Sequence, residues 1–431
     1  MTPLYILLLF GPIALADDKE KLISVIAIFR HGDRAPTDRL SNKTYLSSFP
    51  NGLGELSDRG IENSYRLGTF LRDRYVNNGF LRKPVLPSQV SRKLFDTPMV
   101  AIGFLRQRLT ILIRELHSQV YFRSKGNNRC LMSASLVASA MFSVYGRPTT
   151  SAVPIYSQEG KDPLLGGTID CDAEVKRIVA KCGRPPKKSY ANFTEFEGMI
   201  YECLQLNKKS KLFPTGKSFE LVDSLINEYY NGLPVPKWFE DHANEIIDDF
   251  IKVENFILGV GEYHDPDILR VKSGLLLNST LYTLKSNWEQ FVANGSLEKR
   301  KFVAYSTQDW LIQAFMESLG IREAAIGDGY PPYSSLLIFE LRKIKDLPVV
   351  KVFYRDPHTS LLADVTKSTE LFKNCALNYV SICLTSSPPH SKPINLLILK
   401  SAFDTVVIAN NCERNSCFLF FSECPLKNLL K

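Results

Sequence analysis

The chain has 431 residues, 45% of them hydrophobic and 23% charged, an ordinary balance for a folded protein with a large buried core. Its formal net charge of +8 favours anionic partners, yet no lysine–arginine run with interleaved aromatics marks a nucleic-acid surface. Past the amino terminus the most apolar stretch, Ile394 to Ala409, contains Lys400 and Asp404, which argues against a membrane span.

Residues 1–16 read as a signal peptide. Met1-Thr2-Pro3 precedes an apolar run from Leu4 to Ile13, and Ala14-Leu15-Ala16 is a small-x-small cleavage site. A span would need about 20 apolar residues, more than this run supplies. Sequons at Asn42, Asn192, Asn278 and Asn294 are candidate glycosylation sites and fit a secretory route. Nine cysteines in an oxidising compartment imply disulfides with at least one thiol left over, and none has zinc-ligand spacing with histidines nearby. The mature chain is expected to be secreted or luminal, with no metal site.

Leu22 to Phe29 has the length and β-branched composition of a buried strand. It ends in Arg30-His31-Gly32-Asp33-Arg34-Ala35-Pro36, where Gly32 permits close backbone approach and Pro36 stops any ladder. Sites in open α/β sheets form beyond the carboxyl ends of strands. Two guanidiniums there can fork a phosphate, and an imidazole between them can attack it. A solvated surface loop is the alternative. The run Arg-His-Gly-x-Arg-x-Pro resembles the signature of the histidine acid phosphatase family, and the Asp33 variant is similar to its prostatic and lysosomal branch. The resemblance implies an α/β fold, a mixed, largely parallel central sheet flanked by helices with an inserted, mostly α-helical cap. The first part of that core would span residues 17–146.

Ser57 can cap a helix from Asp58 to about Val76, with Ile61, Tyr65, Gly68, Leu71 and Tyr75 on its core face and Gly68 close against the sheet. Residues 90–119 interrupt the resemblance. Gln89-Val90-Ser91 is what splice-donor bases would encode, so this segment reads as a retained intron or gene-model error, with a surface amphipathic helix as the alternative. Val120-Tyr121-Phe122 is a second strand delivering Arg123, and the family resemblance implies phosphate binding by an arginine there. Arg129 and Leu131-Met132-Ser133-Ala134 match the start of the family's next helix, which is expected to run to about Tyr145.

Between 147 and 262, proline and glycine breaks separate short helical patterns without convincing strands, the pattern of an α-helical cap with one clear helix near Trp238 to Leu258. The core resumes over 263–375. A helix is expected from Val271 to Leu284, a strand from Phe302 to Ser306, a helix from Trp310 to Leu319, and a hairpin of Leu336–Leu341 with Val349–Tyr354. The end of the Phe302–Ser306 strand carries Gln308-Asp309 where the family has His-Asp. Residues 376–431 are atypical until Cys424-Pro425-Leu426 and hold a second candidate for unspliced sequence.

By this resemblance the substrate is a small phosphomonoester, no cofactor is needed, and a homodimer is suggested. Arg30, Arg34, Arg123 and Gln308 would hold the phosphate. Neutral His31 would take the phosphoryl group and Asp309 would protonate the leaving alkoxide. Losing one preorganised donor costs about 10²–10³ in rate, so Gln308 implies a slow enzyme that Gln308→His would speed. Two alternatives stay open: a noncatalytic relative that only binds phosphorylated ligands, and a mutase or phytase on the same site. His264-Asp265 copies the missing dipeptide without a strand to aim it, and His117, His242, His358 and His390 read as surface residues.

Overall fold

Strand β1 (Lys21–Arg30) is buried from Ile23 onward, and the rest of the chain is arranged around it. The computed structural model describes residues 20–37, 39–82, 119–143, 153–166, 172–183, 193–206, 218–297, 300–359 and 361–368. Among these, β1 joins β2 (Val120–Ser124), β3 (Ile155–Ser157), β4 (Phe302–Thr307), β5 (Leu336–Ile344), β6 (Leu347–Arg355) and β7 (Leu362–Asp364) in one sheet of order β3-β2-β4-β1-β5-β6-β7. β3, β2, β4 and β1 are parallel, and β5 to β7 complete the sheet antiparallel. The fold is thus mixed α/β.

Side chains alternate across β1 and so feed two cores. Val25, Ala27 and Phe29 pack with Leu67 and Leu71 of α1 (Asp58–Leu71) and with Ala134 and Val137 of α2 (Asn128–Met141). Ile26 and Ile28 face Leu276 and Leu277 of α8 (Pro266–Asn294) and Ile312 and Phe315 of α9 (Asp309–Ser318). Helices therefore cover both faces, as parallel crossovers require.

Ser57 caps α1, its Oγ accepting from the Gly60 amide at 3.3 Å, and the helix runs on into a wider π-type turn at Arg72–Val76. The buried face is Gly60, Ser64, Leu67, Gly68 and Leu71, with Ile61 and Tyr65 only half-buried. A Cβ on Gly68 would meet the Val137 carbonyl at 2.4 Å. Gly68 thus serves an approach to α2, not to the sheet.

Among the described residues, five helices precede α8 in the stretch between β3 and β4: α3 (Asp172–Lys181), α4 (Phe193–Cys203), α5 (Ser218–Tyr230), α6 (Lys237–Glu240) and α7 (Ala243–Leu258). The Cys182–Cys203 disulfide ties the end of α3 to that of α4. Ile178, Phe196 and Ile200 pack on Val253 and Phe256 of α7, while Leu225 and Ile226 of α5 pack on Phe239 and Ile246. A buried Lys272–Glu174 ion pair and the Arg177–Asp265 pair at 2.9 Å pin α3 to α8. The expected helix over Trp238–Leu258 is broken between Glu240 and Ala243. The short edge strand β3 has only three residues, too few to show a period.

α8 is twice the expected length. Asp265 caps it through the Asp267 and Ile268 amides, Pro266 occupies its first position, and it stops at Gly295 with φ +70°. Its buried stripe includes Lys272, Thr280 and Asn287, which hid the period. Another short helix, α10 (Arg322–Ile326), follows α9.

Among the described residues no helix is long and apolar enough to cross a membrane. The signal peptide at 1–16, all of the 90–119 segment except Gln119, Asn192, residues 376–431, and Cys171, Cys375, Cys383, Cys412, Cys417 and Cys424 lie outside the described residues.

Candidate active site

Parallel strands β1, β2 and β4 end together, because Arg30 stands opposite Thr307 and Ser124 opposite Ser306. The loop after β1 is tied on all sides. The His31 amide donates to the Thr307 carbonyl at 3.1 Å, the Gly32 amide to Ser133 Oγ at 3.0 Å, and the His31 carbonyl accepts from the Ser334 amide at 3.1 Å. A Cβ on Gly32 would lie 2.3 Å from the Gly60 carbonyl, and one on Gly60 would lie 2.0 Å from that of Asp33. The two glycines let the loop rest directly on the first turn of α1.

His31 is 1% exposed. Its Nδ1 lies 2.8 Å from the Gly32 carbonyl, which can only accept, so Nδ1 carries the hydrogen and Nε2 the lone pair. Arg129 Nε, from the first turn of α2, donates to that Nε2 at 3.3 Å. Burial first, then the charges of Arg129 and Arg30, push the imidazole pKa well below its ordinary value. The ring is therefore neutral and stands beside cations.

Arg30 donates to the Pro331 carbonyl at 2.7 Å, pairs with Asp309, and stacks on the Tyr333 ring 3.8 Å from its centroid. Arg34 is clamped by Asp223 of α5 through contacts of 2.9 and 3.3 Å. Asp309 is the first residue of α9, its Oδ1 accepting from the Trp310 amide at 2.9 Å. Burial would raise this carboxyl, but Arg30, the Trp310 amide and Arg34 outweigh it and hold it below the usual carboxylate range. Behind it, Glu254 of α7 accepts from Trp310 Nε1 at 2.8 Å, and the Tyr330 hydroxyl hydrogen-bonds to both carboxyls. Gln308 is buried, and its Oε1 accepts from Lys125 Nζ.

One expected residue is elsewhere. Arg123 pairs with Asp162 at 2.8 Å and reaches Gln158 at 3.3 Å, and the cations acting on His31 are those of Arg129, Arg30 and Arg34. Along β2 the side chains of Phe122 and Arg123 alternate, so Arg123 leaves the strand on the face opposite α1 and α2. The third arginine of the cluster is Arg129. Sequence reasoning also passed over Asp223, Glu254, Tyr330, Tyr333 and Lys125. Of these, only Tyr333 had a local signal, in the Pro331-Pro332-Tyr333 run before β5.

His264 bonds to Glu317 at 2.7 Å on the surface and Asp265 caps α8, so that dipeptide is structural. Asn42 and Asn294 are exposed, whereas Asn278 is half-buried in mid-α8 with Thr280 buried, a poor fit to the surface loop of a glycan acceptor. Among the described residues no group of three or more His, Cys, Asp or Glu side chains could hold a metal ion.

The family model of the histidine phosphatase superfamily (branch 2) matches residues 21–355, from the first residue of β1 to the last of β6. The chain belongs to that family. Putative acid phosphatase 1 of Caenorhabditis briggsae is 32% identical over 382 residues, covering 86% of this chain and 79% of that protein. Prostatic acid phosphatase of Mus musculus is 24% identical over 381 residues, covering 82% and 85%. Among solved structures, Hafnia alvei phytase in complex with tartrate superposes with a TM-score of 0.52 at 16% identity, covering 95% of this chain and 99% of that one, a likeness of fold. The structure brings Arg30, His31, Arg34, Arg129 and Asp309 together at one sheet edge.

Proposed function

We propose that the chain is an acid phosphatase that hydrolyses small phosphomonoesters through a phosphoryl group carried on His31 Nε2. One observation carries this reading: a buried neutral imidazole, its Nδ1–H tied to Gly32, aims its Nε2 lone pair at Arg129 in a cluster that includes Arg30 and Arg34. The acid phosphatase names of its relatives support the substrate class. The signal peptide read in residues 1–16 supports a secreted or luminal product.

An arriving phosphoryl dianion draws the Arg129 N–H off Nε2 and onto one of its own oxygens, freeing the lone pair. Arg30 and Arg34 take other oxygens, since transfer of this group rests on positioning and charge stabilisation. The Nε2–P bond forms as the ester P–O bond breaks, and Asp309 gives its proton to the departing alkoxide. Water then attacks phosphorus, the N–P bond breaks, and Asp309 takes the water's proton. Gln308 donates through its NH₂ end as a neutral group, which slows the reaction relative to an imidazolium at that position.

The test is phosphate release from p-nitrophenyl phosphate at acidic pH by the full chain and by His31→Ala, with a labelled-substrate trap for an alkali-stable, acid-labile adduct on His31. Turnover and adduct that both vanish in His31→Ala support the reading. Gln308 favours a second reading, a phosphate-binding relative without turnover. Stabilisation of the chain by inorganic phosphate with no hydrolysis would select it.

A further inference from the structure

Asp223 and Asn227 stand one turn apart on α5, and just past the end of that helix the Asn231 side chain donates to the Arg34 carbonyl at 3.4 Å. This face of α5 therefore rests on the loop that follows β1. Asn227 is 2% exposed, and every polar atom of its amide is used. Nδ2 donates to the Asp223 carbonyl at 2.7 Å and to Asp223 Oδ1 at 3.0 Å, and Oδ1 lies 2.7 Å from the Tyr333 hydroxyl. Against burial, the Arg34 guanidinium holds the Asp223 carboxyl below its ordinary range, so that side chain only accepts. The NH₂ end of Asn227 must then face Asp223, which leaves the oxygen for Tyr333. Hydrogen bonds thus run one way, from the Tyr333 hydroxyl through Asn227 to Asp223.

The two ends of this chain touch different members of the cluster. Asp223 Oδ1, the oxygen that Asn227 bonds, also takes Arg34 Nη2 at 2.9 Å. The Tyr333 ring centroid lies 3.8 Å from the Arg30 guanidinium carbon and 5.6 Å from the centroid of the His31 ring. We propose that Asn227 is a positioning residue that eases the grip of Asp223 on Arg34 and anchors the Tyr333 ring against Arg30 and His31. This rests on the phosphatase reading above. The positive end of the Asn227 N–H offsets part of the carboxylate charge that Arg34 feels, so the guanidinium turns more readily to a phosphoryl oxygen. The Asn227 oxygen fixes the hydroxyl and hence the ring, whose face holds Arg30 in place beside the imidazole. One buried amide thus serves both guanidiniums.

The experiment reads kcat for p-nitrophenyl phosphate, calorimetric affinity for inorganic phosphate, and Tm, all in the full chain. Asn227→Leu, close to asparagine in size, is made alone and combined with Asp223→Ala or with Tyr333→Phe. Alone it is expected to lower phosphate affinity about fivefold and kcat about tenfold. In the Asp223→Ala background it should change phosphate affinity less than about twofold, because the grip it eased is gone. In the Tyr333→Phe background it should change kcat less than about twofold, because the hydroxyl it held is gone. The proposal is overturned if either loss persists undiminished in its paired background. It is equally overturned if Asn227→Leu lowers Tm and leaves kcat and phosphate affinity unchanged. If Asn227→Leu does not fold, Asn227→Ser takes its place in the same comparisons. Wild-type protein without His31-dependent turnover would overturn the phosphatase reading instead, and the phosphate-affinity comparison with Asp223→Ala would still decide for or against Asn227.

Discussion

Arg30 and Asp309 close an ion pair across the carboxyl edge of the sheet, so the residue before the imidazole and the first residue of α9 hold one another. A carboxyl kept below its usual range by that guanidinium cannot protonate a leaving group. A phosphoryl dianion that takes up Arg30 weakens that attraction and sets its own negative charge beside the carboxyl. Burial then weighs more against Arg34 and the Trp310 amide, and Asp309 gains acid character when the site fills. Asp309→Asn should lower kcat/KM for an alkyl phosphate by about 10²–10⁴-fold and for p-nitrophenyl phosphate far less, since nitrophenolate leaves without help. Equal losses on the two substrates would remove Asp309 from the acid role.

The imidazole makes a separate prediction about pH. Burial, Arg129 and Arg30 hold His31 well below 6.5, so the imidazole stays neutral in mild acid. The acid limb of kcat/KM should therefore fall well below pH 6.5, and Arg129→Gln should move it upward. The stability sign follows. Below pH 6.5 the unfolded chain binds a proton at this residue that the folded chain refuses, so this group takes stability away as pH falls. A limb centred near 6.5 in the wild type would contradict the buried, cation-flanked setting.

The heart of the site was legible because burial leaves a mark on sequence. A strand hidden on both faces is a continuous apolar run, and Arg30, His31, Gly32 and Arg34 stand where β1 ends. A strand's end tells which edge a residue reaches but not which face it leaves from, and on that distinction Arg123 misled while Arg129, in the first turn of the next helix, aims at His31. Asp223 and Glu254 could not be read at all. They lie 189 and 56 residues from the groups they bond, and neither sits in a local pattern. The long α8 was cut short on paper because polar Lys272, Thr280 and Asn287 share its buried stripe.

Asp223 holds Arg34 in the pose a phosphate would otherwise claim. Asp223→Ala strips a charged hydrogen bond from a largely buried guanidinium, a loss of about 2–3 kcal/mol. Inorganic phosphate should replace part of what the carboxylate did. The Tm increase on adding phosphate should thus be larger in Asp223→Ala than in the wild type. An equal increase would mean that Arg34 does not reach the bound anion.

Gly60 sits where α1 meets the loop carrying His31, and an added Cβ would lie 2.0 Å from the Asp33 carbonyl. Backbone cannot give way like the end of a side chain, so Gly60→Ala should cost about 3 kcal/mol and displace the loop, lowering kcat with it. Gly198 in α4 is the internal control. Nothing lies within 4 Å of its added Cβ, and Gly198→Ala should stabilise the helix by up to about 1 kcal/mol with activity unchanged. Chemical denaturation of the two variants reads the contrast.

Glu254 is 3% exposed behind Asp309, and burial first and the Asp309 charge second push its pKa up to about 8 from 4.5. The folded chain therefore keeps a proton there that the unfolded chain releases near pH 4.5. Its contribution to stability is full below that pH and is lost as pH rises through about 8. Glu254→Gln keeps an oxygen for Trp310 Nε1 and never ionises, so it should abolish this slope. Because the His31 and Asp309 shifts act below pH 6.5, the comparison is cleanest between pH 6.5 and 8. Wild-type Tm should fall across that interval more steeply than that of Glu254→Gln, and parallel slopes would mean that Glu254 is already ionised in the fold.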